Sequence, residues 1–486
     1  MTSSVFATDA YKFSMAQAGF PLRRETFYFS FRFGGFHYVP SDLAADLRAL
    51  VEGLRPTPED LTFARTHGYG LSEAMEAALS QGASLEIEAV PEGSWVYERE
   101  PILTVTGPSF LVSWLEPMLL WLNYPIQLAT ALKQPATLKP SMLTATCEEH
   151  ARIIESVAQR VGMADRIEIT REDDAYAQGV GARARSLVEA AGGDPSRVFE
   201  VGMRSAVCME QHRIALQACK EAGIDRTSNV QVARELGMTP VGTMGHEHVQ
   251  RWGADLPAFR AMRDMRVGAP SYLLDTFDTM GTGIKSAVKV MRERDHACSI
   301  RYDSGNKFIQ YLHASELLRE SKLQPTHVLE DGLDDEATRH FERLREFTDW
   351  PADRQVYGSG GFLVGRAMTN PLTRDRVSAV YKLSETAGEP RMKFGNAAAS
   401  GKRSVPGRPV VWRRIRGNGP LGIIGQAGEG VPDNYVGLSG NPEALEQLRI
   451  CNVLDLDRAM KIPEAERRVT LSPATQALVE RLTPPE

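Results

Sequence analysis

The sequence predicts an α/β protein built on parallel strands, and two observations support this prediction. From residue 198 onward, short apolar strands alternate with helical segments at the spacing of βα units. These strands also end, one after another, in arginine, histidine, aspartate or glycine. Parallel strands joined by helices form either a closed barrel or a doubly wound sheet. No G-x-G-x-x-G motif follows a strand, so the dinucleotide-binding form of the second fold has little support.

The composition is that of an ordinary enzyme from a reducing compartment. The 486 residues are enough for two or three domains, or for a barrel with additions. The net charge of -6 offers no basic surface for nucleic acid or membrane. The longest apolar run, FLVSWLEPMLLWL, is interrupted by Glu116 and Pro117 and is too short to span a bilayer. The five cysteines form no C-x-x-C pair and no signal peptide is evident, so we expect a cytoplasmic protein.

Residues 1–132 are predicted to form an N-terminal α+β domain. Thr8 and Asp9 are good caps for a helix over residues 10–20. In residues 25–33, phenylalanines alternate with polar residues, which predicts a strand that is buried on one face only. Further helices are predicted over residues 41–54, 57–66, 71–81 and 110–122, and further strands over residues 85–90, 95–99 and 102–105.

Three further regions follow in the prediction. Residues 133–197 are interpreted as a helical insertion or an elaborated crossover, with helices over 141–161 and 173–191. Residues 198–376 contain the βα units, whose strands are predicted to end near Met203, Thr243, Asp275, Asp303, Asp331 and Gly358. Residues 377–486 are predicted to form C-terminal strands and helices that pack back on the N-terminal domain.

The strand ends carry the residues that indicate chemistry. In parallel α/β folds, ligands bind where the carboxyl ends of several strands converge. Arginines and glycine amides bind phosphate, and aspartates bind ribose hydroxyls or magnesium. The residues of this kind are Arg204, His246, Asp275, Arg301, Asp303, Asp331, Gly332, Gly360 and Gly361. With Tyr11 on the first helix available to stack on a ring, they favour an anionic sugar phosphate together with a planar heterocycle.

His246 lies in the most suggestive stretch, VGTMGHEHVQ. Small residues before a histidine allow the backbone to approach a phosphate or sugar, and the histidine can then act as base, acid or nucleophile. Taken alone, the same stretch also fits a turn with a capping or solvated histidine.

Several motifs together resemble those of nicotinate phosphoribosyltransferases, which are type II phosphoribosyltransferases. The chain opens with TDAYKFSMAQAGF and continues with EVGMRSA, RTSNV, GTMGH, LLDTFDT, RYDSG and VYKLSE in the order of that family. The stretch KFGNAAASGKRSVPGRPVVWRR is similar to its C-terminal signature. The resemblance implies an irregular parallel α/β (TIM-like) barrel with an N-terminal domain, in a homodimer with shared active sites.

The resemblance also implies an activity. The chain would make nicotinate mononucleotide and pyrophosphate from nicotinate and phosphoribosyl pyrophosphate, in NAD salvage, with ATP and Mg²⁺. His246 would be phosphorylated transiently by ATP, and Arg301 and Asp303 would engage phosphoribosyl pyrophosphate. Asp275, Asp331 and Gly332 would belong to the substrate site, with Gly360 and Gly361 near the 5'-phosphate. Tyr11, donated by the neighbouring subunit, would stack on the pyridine ring.

The choice between nicotinate and nicotinamide depends on a few donors. Arg204, Thr227 and Ser228 offer a guanidinium and two hydroxyls to a carboxylate, which favours nicotinate. Two departures from the family pattern are Asn306, in place of an acidic residue, and YGSGGF, which is closer to the nicotinamide branch. The alternatives are therefore a nicotinamide-type enzyme and a non-catalytic relative that binds a phosphosugar or nucleotide.

Overall fold

The first part of the chain mixes helices and strands, as predicted. The computed structural model describes residues 5–81, 84–134, 142–368, 372–394, 403–450 and 467–483. The elements up to residue 134 are α1 (Ala10–Gln17), β1 (Arg24–Phe31), β2 (Phe36–Tyr38), α2 (Leu43–Gly53), α3 (Pro58–Thr66), α4 (Glu73–Gln81), β3 (Glu86–Ala89), β4 (Trp95–Tyr97), β5 (Leu103–Pro108), α5 (Ser109–Trp114), α6 (Glu116–Leu120) and α7 (Asn123–Lys133). The single helix predicted over residues 110–122 is divided into α5 and α6.

The region predicted as a helical insertion contains strands as well as helices. It consists of β6 (Met142–Ala145), α8 (Glu148–Arg160), β7 (Glu168–Arg171) and α9 (Asp173–Ala190). β6 and β7 pair in parallel, so α8 is the crossover of a βαβ unit rather than part of one helix over 141–161. Residues 135–141 of the prediction lie outside the described residues. The extended start was missed because a four-residue strand has too little periodicity to separate it from the helix that follows.

A seven-stranded parallel sheet follows, and it confirms the predicted βα architecture. Its strands are β8 (Val198–Glu200), β9 (Arg226–Thr227), β10 (Thr239–Pro240), β11 (Ser271–Leu273), β12 (Ser299–Tyr302), β13 (Thr326–Leu329) and β14 (Gln355–Ser359). The helices between them are α10 (Met209–Glu221), α11 (Val230–Leu236), α12 (His246–Trp252), α13 (Asp255–Met265), α14 (Ile284–Glu293), α15 (Lys307–Glu320) and α16 (Asp335–Phe347).

The strand order distinguishes a barrel from a doubly wound sheet. The order is β10-β9-β8-β14-β13-β12-β11. Read in reverse and starting from β8, the strands follow one another around a circle in the order of the chain, as in a barrel. The last strand returns to the first, with Gly358 opposite Phe199. Among the described residues no ladder joins β10 to β11, so the sheet is a curled half-barrel. Its carboxyl ends therefore converge on one rim, as they do in a closed barrel.

The chain then returns to the first part of the fold. After α17 (Arg374–Val377) come β15 (Ala379–Thr386) and β16 (Glu389–Pro390), which complete a five-stranded antiparallel sheet in the order β16-β15-β1-β5-β3. β1 is its central strand and is buried on both faces except at Arg24. The prediction of a half-buried strand was therefore wrong, because the second face covers the rim of the half-barrel instead of meeting solvent.

The remaining described residues form a separate small sheet. Its elements are β17 (Pro409–Arg414), β18 (Gly422–Gln426), β19 (Tyr435–Gly437), α18 (Ala444–Ile450), β20 (Val469–Leu471) and α19 (Pro473–Leu482), with the strand order β19-β17-β18-β20. Residues 395–402 of the predicted C-terminal signature lie outside the described residues. None of the helices in the described ranges is both long and apolar enough to cross a membrane.

The first helix packs against the half-barrel and is held there by backbone hydrogen bonds. The backbone nitrogen of Ala10 donates to Ser228 O at 2.7 Å, and Val230 N donates to Thr8 O at 3.1 Å. Gly242 allows closer contact, since a Cβ at this position would lie 2.2 Å from the backbone nitrogen of Tyr11. Only glycine permits this approach. α1 therefore lies against the loop that leads to α12.

Candidate active site

Two adjoining cavities lie at the carboxyl rim of the half-barrel, and strand β15 of the antiparallel sheet lines the first of them. Their volumes are about 130 and 100 Å³. They share five charged residues, called here the shared wall: Arg204, Arg301, Asp303, Asp331 and Arg374. The first cavity also meets His246 and Tyr11, and the second meets Gly332, Gly360 and Gly361. The structure thus brings together most of the residues that the sequence singles out.

His246 is the first residue of α12 and lies in a ring of polar side chains. Its Nδ1 is 3.2 Å from the hydroxyl of Thr276, and its Nε2 is 3.1 Å from Asp303 Oδ2 and 2.7 Å from Lys393 Nζ. Burial lowers the pKa of His246, and Asp275, whose Oδ1 lies 3.7 Å from Nε2, opposes this shift. The imidazole is therefore neutral near pH 7, with a nitrogen lone pair available to react.

Arg301 links the histidine to the rest of the shared wall. It donates to the hydroxyl of Thr243 at 2.8 Å, to Met244 O at 3.1 Å and to Asp303 Oδ1 at 2.5 Å. Its Nη2 also lies 3.0 Å from Glu330 Oε2. Burial would raise the pKa of Asp303, but Arg301 and then His246 outweigh it and hold this pKa well below its usual value. Asp303 is therefore an anion placed between a guanidinium and an imidazole.

One end of the first cavity is suited to a flat ring, and we call Tyr11, Glu116 and Arg204 the ring end. The hydroxyl of Tyr11 donates to Glu116 Oε2 at 3.0 Å, and Arg204 Nη1 lies 3.8 Å from Glu116 Oε1. Tyr11 is only 9% exposed and lines the cavity of its own chain. Within the single chain, Tyr11 therefore lies at the ring end of its own cavity.

The first cavity contains more cationic than anionic side chains. Burial lowers the pKa of Lys382 to about 7, because Glu116 offsets the burial only in part and Lys393 and Arg32 add to it. Burial also lowers the pKa of Arg374, and Arg204 lowers it further. Neighbouring cations thus add to the effect of burial at Lys382 and Arg374, whereas nearby carboxylates hold the pKa values of Arg204 and Arg301 above the usual value. An anionic ligand would balance the excess of cations over anions in the lining.

The second cavity has a glycine-rich edge that suits a phosphate group. Asp331 and Gly332 both have positive φ, of 64° and 67°, which turns the backbone sharply after β13. Gly360 lies against the neighbouring strand, and a Cβ there would lie 2.8 Å from the carbonyl oxygen of Val201. Gly361 follows it on the cavity wall. Backbone without side chains lets a phosphate approach the amides closely.

Three predicted residues lie beneath the cavities instead of lining them. The hydroxyl of Thr227 donates to Glu200 Oε2 at 2.8 Å, and that of Ser228 donates to Asp9 Oδ1 at 2.6 Å. Asp275 is fully buried, and its Oδ2 accepts from the hydroxyl of Ser304. The two hydroxyls proposed as donors to a carboxylate are thus already bonded to other carboxylates. Of the three predicted donors, Arg204 is the one that reaches the cavity.

Asn306, one of the two departures from the family pattern, has a local structural role. Its side-chain oxygen accepts from the backbone nitrogen of Ile309 at 3.2 Å and caps α15. An amide side chain is a preferred cap at this position.

The sequence interpretation missed several charged residues that line the first cavity. These are Arg32, Glu116, Glu247, Arg374, Lys382 and Lys393. Most of them come from outside the half-barrel strands, so a search of strand ends does not find them. One signal was present: Glu116 interrupts an apolar run, and a carboxylate in such a run needs a buried partner. Lys382 and Lys393 also lie within VYKLSE and at the start of KFGN, two of the motifs quoted above.

A divalent cation is compatible with the side chains around His246. Ligand atoms of His246, Asp275 and Asp303 lie within 4.8 Å of one another. Asp275 Oδ1 is buried without a hydrogen-bond partner, which leaves one oxygen available. Carboxylate oxygens are the protein ligands that Mg²⁺ prefers. Asp275 and Asp303 therefore fit a magnesium ion by their chemistry.

Comparisons with known proteins identify relatives over most of the chain. No protein-family model matches. The nicotinate phosphoribosyltransferase of Mycobacterium tuberculosis is 24% identical over 435 residues, which cover 87% of this chain and 79% of the relative. The nicotinate phosphoribosyltransferase of Neisseria meningitidis serogroup B is 24% identical over 418 residues, covering 81% and 92%.

Solved structures with the same name share the fold. The nicotinate phosphoribosyltransferase from Vibrio cholerae superposes with a TM-score of 0.59 at 18% identity, covering 82% of this chain and 90% of that one. The protein of that name from Porphyromonas gingivalis has a TM-score of 0.57 at 18% identity, covering 83% and 96%. These relatives and solved structures match over most of both chains. The chain is therefore similar to nicotinate phosphoribosyltransferases in sequence over most of its length, and to solved structures of that name in fold.

Proposed function

We propose that the chain forms nicotinate mononucleotide and pyrophosphate from nicotinate and phosphoribosyl pyrophosphate. The observation that carries this proposal is the shared wall, where three arginines and two aspartates lie between a ring end and a glycine-rich edge. A ligand with a flat acid at one end and phosphates at the other matches this distribution of charge. The names of the matched relatives point to the same reaction.

The position of each residue in the two cavities suggests which part of the substrates it would bind. Tyr11 would stack on the pyridine and Arg204 would bind its carboxylate. Gly332, Gly360 and Gly361 would receive the 5'-phosphate, and Arg301 and Arg374 would neutralise the pyrophosphate. The bond from the anomeric carbon to the pyrophosphate oxygen breaks while a bond to the pyridine nitrogen forms. In such a step the protein contributes mainly positioning and charge neutralisation.

ATP coupling through His246 is a second part of the proposal. The neutral imidazole would accept the γ-phosphoryl group of ATP, and water would later remove it. Lys393, whose Nζ is 2.7 Å from Nε2, would offset the charge of the added phosphoryl group. Asp303 would accept a hydrogen bond whenever Nε2 is protonated. Asp275 and Asp303 would hold Mg²⁺, which supplies charge neutralisation for the phosphates when it is bound.

The test is release of pyrophosphate from phosphoribosyl pyrophosphate, with nicotinate or nicotinamide, with and without ATP. We expect turnover with nicotinate that ATP accelerates, and we expect the acceleration to vanish in His246→Ala. Turnover with nicotinamide alone would assign the protein to the nicotinamide branch. No release with either pyridine would overturn the enzymatic proposal, and binding without turnover would then indicate a phosphosugar-binding relative.

The pH dependence should follow Lys382. This side chain attracts the anionic substrate only as an ammonium ion, and its pKa is about 7, so the cationic fraction falls as the pH rises through 7. We expect kcat/KM for phosphoribosyl pyrophosphate to fall by up to about tenfold per pH unit above that value. Lys382→Arg, whose guanidinium stays protonated, should move this decline to higher pH. A variant profile that superposes on that of the wild type would contradict the assignment.

A further inference from the structure

Lys12 is a buried cation that lies behind the first cavity without lining it. It is 1% exposed, and it lies on the otherwise mostly apolar helix α1. Its Nζ is 2.6 Å from Glu116 Oε2 and 2.9 Å from Glu247 Oε1. One ammonium group is thus shared between two carboxylates that come from different parts of the chain. A buried lysine is costly unless such partners compensate its charge.

The two carboxylates line the first cavity beside different substrate-facing groups. Glu116 belongs to the ring end, where it accepts from the Tyr11 hydroxyl at 3.0 Å and lies 3.8 Å from Arg204. Glu247 directly follows His246 at the start of α12 and lines the cavity beside it. Lys12 is therefore the charged connection between the ring end and the histidine.

Backbone packing makes this connection short and stiff. A Cβ on Gly245 would lie 3.1 Å from Tyr11 Cε2, so the tyrosine ring lies against the residue before His246. The backbone nitrogen of Gly245 also donates to Met15 Sδ at 3.2 Å. Lys12 Nζ lies 4.9 Å from the centre of the Tyr11 ring, within the range of a cation–π contact. A shift of the Tyr11 ring would therefore displace both Lys12 and the loop that precedes His246.

We infer that Lys12 is a positioning residue that couples occupancy of the ring end to the reaction at His246, an inference that rests on the proposed function. The carboxylate of nicotinate draws Arg204 away from Glu116. Glu116 then binds Lys12 more strongly, and the hold of Lys12 on Glu247 weakens. A phosphoryl group on His246 acts in the reverse direction through Glu247. By linkage, each ligand changes the affinity for the other by the same factor.

The decisive measurement is the number of ATP molecules hydrolysed for each mononucleotide formed. In wild type, we expect nicotinate to stimulate ATP hydrolysis in the presence of phosphoribosyl pyrophosphate. In Lys12→Met, we expect this stimulation to be lost and the ATP cost per product to rise by about fivefold or more, the low end of typical coupling factors. Phosphorylation of His246 by labelled ATP should persist. A merely structural role would lower hydrolysis and synthesis together and leave their ratio unchanged.

Two further variants make the outcome clear. Gln17→Ala also weakens the docking of α1, because Gln17 donates to Gly68 O and Gly70 O, yet it is remote from the cavity and should leave the ratio unchanged. Glu247→Gln keeps the shape and leaves Lys12 paired with Glu116, so it should raise the ratio as Lys12→Met does, and it decides the question if Lys12→Met does not fold. An unchanged ratio in Glu247→Gln overturns the inference. A wild type without pyrophosphate release would instead refute the proposed function.

Discussion

Asp303→Asn is expected to lower kcat/KM for phosphoribosyl pyrophosphate by about 10²- to 10³-fold, as loss of one preorganised electrostatic group does in other enzymes. Asp303 accepts from Arg301 through one oxygen and faces His246 through the other. Asparagine can offer a carbonyl oxygen to only one of them and must turn its NH₂ group toward the other. The NH₂ group of the asparagine then faces either Arg301 or the pair of His246 and Lys393, in place of an acceptor oxygen.

Steady-state kinetics together with the melting temperature would check this prediction. The variant is isosteric, so a folded protein with strongly reduced kcat/KM is the expected result. Asp353→Asn is a suitable control, because Asp353 is 81% exposed at its side chain and contacts only Arg354, at 3.9 Å, among the ion pairs found. Equal activity of Asp303→Asn and the control would show that Asp303 does not act in the reaction.

Arg251→Met is expected to cost about 3–5 kcal/mol of stability, the typical penalty for breaking a buried ion pair. Arg251 on α12 donates through Nε and Nη2 to both carboxylate oxygens of Glu25 on β1, at 2.8 to 3.0 Å. Their side chains are 3% and 0% exposed. Removing the guanidinium leaves Glu25 with the Thr386 hydroxyl as its remaining hydrogen-bond donor among the contacts described.

Equilibrium urea unfolding of single and double variants would separate the buried charge from lost packing. Replacing both members, in Glu25→Leu/Arg251→Met, removes the charge as well as its partner and should recover most of the loss. Because this pair joins α12 to the antiparallel sheet, the single variant should also raise KM by loosening the first cavity. A double variant as unstable as Arg251→Met would point to packing of the arginine stem as the main contribution.

The predictable part of this protein is the part governed by local pattern. Short apolar strands separated by helices indicate parallel βα units, and the ends of these strands identify His246, Arg301 and Asp303 as neighbours before any coordinates exist. The order around the half-barrel follows from the same rule, because consecutive βα units lie side by side. The strand β9 escaped notice because two residues carry no periodicity.

The less predictable part depends on contacts between distant residues. Thr227 and Ser228 have suitable hydroxyls, but Glu200 and Asp9 accept their hydrogen bonds, and local pattern does not reveal such pairing. The alternation of apolar and polar residues in β1 likewise distinguishes two faces of the strand, but it does not reveal that other parts of the chain bury both faces. The cations of the first cavity that the sequence did not single out come from the end of β1, from β15 and from the segments beside β15. The antiparallel pairing of β1 with β15 brings them over the rim.

The pairing of β1 with β15 also constrains how the protein is made. Glu25 lies opposite Thr386. During synthesis, β1 therefore cannot pair with β15 until most of the chain has been made. The half-barrel strands are encoded between them, and most of them pair with the next strand along the chain, while β14 returns to β8. Long-range pairing is the slow step in folding, since loop-closure entropy must be overcome first. On the ribosome, the rim of the half-barrel therefore forms before its cover, and the complete cavity is among the last parts of the molecule to assemble.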